Sequence, residues 1–126
     1  LLIVRLSRFF DDAEPEQDGG PQALYRLLNE LSDRSAEAWP RTRMAKVAGM
    51  SVSTLTRQFR RATGYAPNEY LQRLRLKKST MLLLNPELSI SEIAERTGFS
   101  DSNYFCRQFR ARYNVSPQKY RKLRNG

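Results

Sequence analysis

Along most of the chain, apolar residues recur three and four positions apart, the period of a helix with one buried side. Leu24, Leu27, Leu28 and Leu31 follow Pro21, a residue suited to a helix start, and predict a helix over 21–35 that faces a core. Trp39-Pro40 breaks it, because a residue before proline avoids the α region, and Trp39 reads as a core anchor. A short helix over 41–48 offers Met44, Val47 and Ala48 to the core; Pro40 and Thr42 leave its start ill-defined. Ser51 is the expected cap of a helix over about 52–63, and Gly64 its terminator. Pro67 opens a longer helix to Leu84, with Tyr70, Leu71, Leu74, Leu76, Leu82 and Leu83 apolar and Ser79 small where helices cross.

Asn85-Pro86-Glu87 reads as a loop, and Ser89-Ile90-Ser91-Glu92 as a capping box ahead of Ile93, Ala94 and Phe99. The next helix starts near Asp101 and puts Phe105 and Phe109 on one side. Asn114 suits a left-handed cap, and Ser116-Pro117 starts a last helix. That helix ends in Lys119, Arg121, Lys122 and Arg124, a tail for phosphates or for solvent. At the other end, Leu2, Leu6, Phe9 and Phe10 fit a short helix, the tail of an upstream domain or a local packing element. Asp11–Gly20 is acidic, with Pro and Gly-Gly, and reads as a flexible linker.

One segment occurs twice. Ala45, Gly49 and Ser51 recur 49 positions later as Ala94, Gly98 and Ser100. Arg57-Gln58-Phe59-Arg60, Pro67 and Tyr70 recur 50 positions later as Arg107-Gln108-Phe109-Arg110, Pro117 and Tyr120. The second copy therefore carries one extra residue in or near its turn. Each copy is a glycine turn followed by a helix with an apolar side and a polar, cationic one, as in a helix that packs on its own domain and enters a DNA groove. The helix between the copies, 18 residues from Pro67 to Leu84, is about 27 Å long. Successive major-groove faces on one side of DNA lie about 34 Å apart, so a rigid rod of this length can set two reading helices about one turn apart.

Met44-Ala45, Ala48-Gly49-Met50-Ser51, Leu55, Arg57-Gln58-Phe59, Ile93-Ala94, Gly98-Phe99-Ser100, Phe105, Arg107-Gln108-Phe109, Val115-Ser116-Pro117 and Tyr120-Arg121 together resemble the DNA-binding domain of AraC/XylS-type transcription regulators. The resemblance covers roughly 21–124. It implies an all-α fold of about seven helices, in which two helix-turn-helix subdomains are joined by a long linker helix and read adjacent major-groove segments. The expected organisation is a tail and linker over 1–20, a first subdomain over 21–66, the linker helix over 67–84 and a second subdomain over 85–126. It further implies a bacterial-type regulator at the cytoplasmic nucleoid, an activator with RNA polymerase as a partner, and a separate N-terminal domain that senses a small molecule and forms a homodimer. The chain begins with Leu, consistent with a piece of something longer.

Charge sharpens this picture. Residues 1–40 carry four Lys/Arg against eight Asp/Glu, net −4; residues 41–126 carry 18 against five, net +13. A domain so basic attracts polyanions, nucleic acid before an anionic membrane. There is no histidine and a single cysteine, Cys106. That removes the usual general base, an internal disulfide and a cysteine zinc site, so no enzyme, metal or cofactor is expected in this segment. No apolar run approaches the roughly 20 residues of a membrane span. A basic helical RNA-binding protein is the alternative; the repeated turn and helix favour duplex DNA, the aromatic platform of common RNA modules not being apparent.

Arg bonds the O6/N7 edge of guanine bidentately, and Asn does the same to adenine. The base-edge candidates are Ser53, Thr56 and Arg57 in the first copy, and Ser102, Asn103, Cys106 and Arg107 in the second. Cys106 matches Thr56 and is expected to face the groove, beside a thymine methyl group. Arg60 and Arg110 lie further along their helices and suit phosphates, as do Ser51 and Ser100 beside backbone N–H groups at the helix starts.

Overall fold

A computed structural model describes residues 21–125; the expected tail over 1–10 and linker over 11–20 lie outside them. Seven helices and no strand occur among the described residues: α1 Pro21–Asp33, α2 Arg41–Ala48, α3 Val52–Thr63, α4 Pro67–Leu82, α5 Ile90–Thr97, α6 Ser102–Tyr113 and α7 Pro117–Asn125. None is long and apolar enough to cross a membrane. Contacts divide the described residues into two compact units, one of residues 21–34 with Ala38–Gln72, the other of Ser35–Glu37 with residues 73–125. The division falls inside α4, between Gln72 and Arg73.

In the first unit the leucine stripe of α1 is buried, as its spacing predicts. Met44, Ala45 and Ala48 of α2 and Leu55, Phe59 and Ala62 of α3 are buried with it. Each large side chain so removed from water contributes roughly 1.5–3 kcal/mol. Trp39 anchors the entry to α2: its ring is buried and its indole N–H donates to the Arg34 carbonyl at 2.9 Å. The Arg43 guanidinium lies 3.8 Å from the Trp39 ring centre and donates to the Ala38 carbonyl at 2.7 Å. These contacts hold the start of α2, where Pro40 sits at the cap position and makes no side-chain cap bond.

The second unit is built on Leu76, Leu83, Leu88, Ile93, Ala94, Phe99, Phe105 and Phe109. Its rings form a run of close pairs: Phe99–Phe105 at 5.1 Å, Phe105–Phe109 at 5.8 Å and Phe109–Tyr113 at 4.7 Å. The capping box is complete, with Ser89 Oγ accepting from Glu92 N and Glu92 Oε1 accepting from Ser89 N, each at 3.0 Å. Two arginines hold this unit's loops. Arg75 donates to the carbonyls of Ser35 and Glu37, both at 2.7 Å. Arg121 donates to those of Leu83 at 2.9 Å, Asn85 at 3.2 Å and Leu88 at 2.7 Å. Arg121 is thus a tie within the fold, rather than part of a phosphate-seeking or solvated tail. The long helix also stops two residues before the expected Leu84. Leu84 N bonds to Met81 O and Asn85 N to Leu82 O, tightening the chain into a turn whose carbonyls Arg121 then takes.

Candidate nucleic-acid interface

The two copies of the repeat fold alike in detail. Gly49 and Gly98 end α2 and α5 at φ 65° and 100°, both in the left-handed region that glycine tolerates. Across the turn, Met50 N bonds to Ala45 O at 3.0 Å, and Phe99 N to Ala94 O at 2.9 Å. Gly64 and Asn114 end α3 and α6 in the same left-handed conformation, each amide bonding back at 2.8 Å to Arg60 or Arg110. Phe59 meets Tyr70 edge-on at 5.2 Å, and Phe109 meets Tyr120 edge-on at 5.4 Å. Gln58, by contrast, is buried while Gln108 is half-buried.

The extra residue of the second copy lies before the helix cap. Ser51 caps α3 two positions after its glycine; Asp101 caps α6 three positions after. Ser51 Oγ accepts from Thr54 N at 3.2 Å and donates to Thr54 Oγ1 at 3.0 Å. Asp101 Oδ1 accepts from Tyr104 N at 2.7 Å. Ser100 is exposed in the turn beside Asp101.

With Leu55 and Phe59 buried on one side of α3, Ser53, Arg57 and Arg60 are exposed on the other. Thr56 is half-buried, and its hydroxyl donates to the Val52 carbonyl at 3.0 Å. On α6, Phe105 and Phe109 are buried, and Asn103, Arg107 and Arg110 are exposed. Ser102 is half-buried at the helix start. Cys106 is half-buried and packs against the second unit's core; burial pushes its thiol above the ordinary value. The Arg107 guanidinium lies 5.8 Å from the Tyr104 ring centre, close enough for a cation–π contact. Tyr104 was not among the sequence candidates, although its place three residues before Arg107 is where a helix brings a ring under a guanidinium. Arg61, also exposed, was missed as well; it stands where the second copy has Ala111. Among the described residues, no group of three or more His, Cys, Asp or Glu side chains is placed to hold a metal ion.

The model of a family described as a helix-turn-helix domain matches residues 44–123. Over all its 126 residues the chain is 39% identical to the HTH-type transcriptional activator RhaS of Escherichia coli. The DNA-binding domain of AdpA, a global transcriptional factor solved in complex with a target DNA, matches at 30% identity with a TM-score of 0.78, over 80% of this chain and 91% of that one. The chain belongs to the AraC/XylS family. An AraC-type regulator from Chromobacterium violaceum has the same fold, with a TM-score of 0.75 at 27% identity over 82% of this chain and 92% of that one. The expected all-α, two helix-turn-helix architecture is therefore the observed one, and the chain is the DNA-binding domain of an AraC/XylS transcription regulator. The family is one of regulators, not enzymes, and it favours duplex DNA over the RNA-binding alternative. The chain spans 44% of the RhaS sequence, less than half the length of the curated relatives it matches.

Proposed function

We propose that α3 and α6 each enter a major groove and that Arg57 and Arg107 read base edges there, with Asn103 beside Arg107 and with Ser53 and Thr56 beside Arg57. One observation carries this reading. A left-handed glycine before each helix, a left-handed residue after it and an edge-on ring pair hold both helices, and each exposes an arginine at the equivalent position of its outward face. Ser102 and Cys106 flank that face on α6; Cys106 contributes a small apolar surface suited to a thymine methyl group. Arg60, Arg110 and Ser51 take phosphates; at Ser100 the neighbouring Asp101 carboxylate opposes one. The helices address successive major-groove segments.

In the longer protein this domain activates transcription, as the relative RhaS is named for doing, through contact with RNA polymerase. An N-terminal domain supplies effector sensing and dimerisation, and the regulator works at the cytoplasmic nucleoid.

Selection of bound sequences from random duplexes tests the reading directly. Two conserved blocks about one helical turn apart are expected, and a single block refutes the two-groove geometry. On the selected site, Arg107→Ala is expected to cost about 1–3 kcal/mol and to relax the base preference in one block. Uniform weakening with an unchanged preference would reassign Arg107 to a phosphate.

A further inference from the structure

The two helix-turn-helix segments are alike in backbone and unlike in charge. Residues 38–66, holding α2, α3 and their turn, carry Arg41, Arg43, Lys46, Arg57, Arg60 and Arg61 and no carboxylate. The equivalent residues 87–116 carry four arginines, Arg96, Arg107, Arg110 and Arg112, and four carboxylates, Glu87, Glu92, Glu95 and Asp101. All four of those carboxylates are exposed. The first segment is therefore net +6 and the second is neutral. At physiological salt the screening length is about 8 Å, so the charges nearest the bound phosphates decide the attraction, not the total charge of the domain.

The helix starts sharpen the contrast. A helix N-terminus favours a phosphate through its free N–H groups and dipole. On α3 that end is capped by the uncharged Ser51. On α6 it is capped by the carboxylate of Asp101, and Glu95 lines the same small hollow with Asp101, Ser91, Ser100 and Ser102. A phosphate approaching α6 at its start meets two negative charges; one approaching α3 meets none.

We propose a division of labour inside the DNA-binding function, resting on the groove-reading assignment above. The α2–α3 segment supplies most of the sequence-independent grip on the backbone, beside the base contacts of Arg57. The α5–α6 segment is held off random sequence by Glu95 and Asp101, and binds tightly only where Asn103 and Arg107 meet matching bases. Glu95 and Asp101 are thus specificity-determining residues that touch no base. They weigh against random sequence, where phosphates alone would hold α6, more than against the matching site, where Asn103 and Arg107 hold it to base edges.

The whole chain carries the test, read by fluorescence anisotropy on the selected site and on a random duplex across a salt series. Lys46→Gln, Arg60→Gln and Arg61→Gln together are expected to flatten the slope of log K against log salt by about 2 to 3, weakening both duplexes alike. Arg96→Gln, Arg110→Gln and Arg112→Gln together are expected to flatten it by less than about 1. Glu95→Gln with Asp101→Asn is expected to tighten random-duplex binding by about three- to tenfold and to narrow the ratio of selected to random affinity. Asn caps as well as Asp, so that change reports charge rather than a lost cap. Equal flattening by the two arginine-bearing triples, or an unchanged ratio in the carboxylate variant, overturns the division of labour. Failure of the groove-reading assignment itself has a different signature: the unaltered chain would select no sequence while keeping a steep salt slope.

Discussion

Gly98 combines a φ of +100° with a close approach of a neighbouring backbone. A Cβ there would lie 2.9 Å from the Ala36 Cα and 2.8 Å from the Arg75 Nε. Gly98→Ala is expected to cost about 3 kcal/mol, from the conformation and the collision together, measured by urea unfolding. Gly49 does the same work in the first copy at φ 65° and ψ 34°, well inside the left-handed helical region. Gly49→Ala is expected to cost only about 1–2 kcal/mol. Equal costs would mean that the close approach of Ala36 contributes nothing. Both glycines could be found in the sequence because each ends an apolar periodic stretch. The close approach could not be found there, since it depends on a segment more than 60 positions away. Arg75 and Arg121 were hidden for the same reason: they satisfy carbonyls 33 to 40 positions distant, and no local pattern marks such a pairing. Cys106 shows a further limit. Its match with Thr56 placed it toward a groove, but a small sulfur side chain beside Phe105 also fills the edge of a core.

At the scale of the helix, local chemistry sets most boundaries. Ser51, Ser89 and Asp101 each accept from the third amide of the following helix, a bond that a serine or aspartate ahead of an apolar stretch announces. The box at α5 adds a pH signature. Two hydrogen bonds, from the backbone N–H and from the side chain of Ser89, hold the Glu92 carboxyl below its ordinary range, with Arg96 adding to them. A carboxyl depressed in the folded state stabilises above its unfolded value, and that contribution disappears as pH falls through the folded one. Glu92→Gln is therefore expected to lower Tm at neutral pH and to match the parent once the pH lies below the carboxylate range. A gap that persists in acid would assign the effect to packing. The end of α4 was less legible, because Leu82-Leu83-Leu84 reads as continuing helix. Leu83 is buried at the turn, and the chain must leave the helix there for Asn85 and Leu88 to reach Arg121.

For the molecule as a whole, the doubled motif carried more information than any single element, because two copies of one turn-helix pattern specify an architecture. It did not reveal that packing would assign Ser35–Glu37 to the second unit or divide α4 between Gln72 and Arg73. That division suggests a test of the rod. Two alanines inserted between Gln72 and Arg73 add about 200° of helical rotation and 3 Å of length. Binding to the two-block site is expected to fall toward that of a single block, while single-block affinity is kept. Unchanged two-block binding would show that the rod's register does not matter.

Trp39 has a practical consequence. It is the chain's only tryptophan, and it lies buried in the first unit beneath the Arg43 guanidinium. Its emission therefore watches one half of the molecule while helical circular dichroism watches both. If the halves melt separately, the two signals will part company, with no label attached.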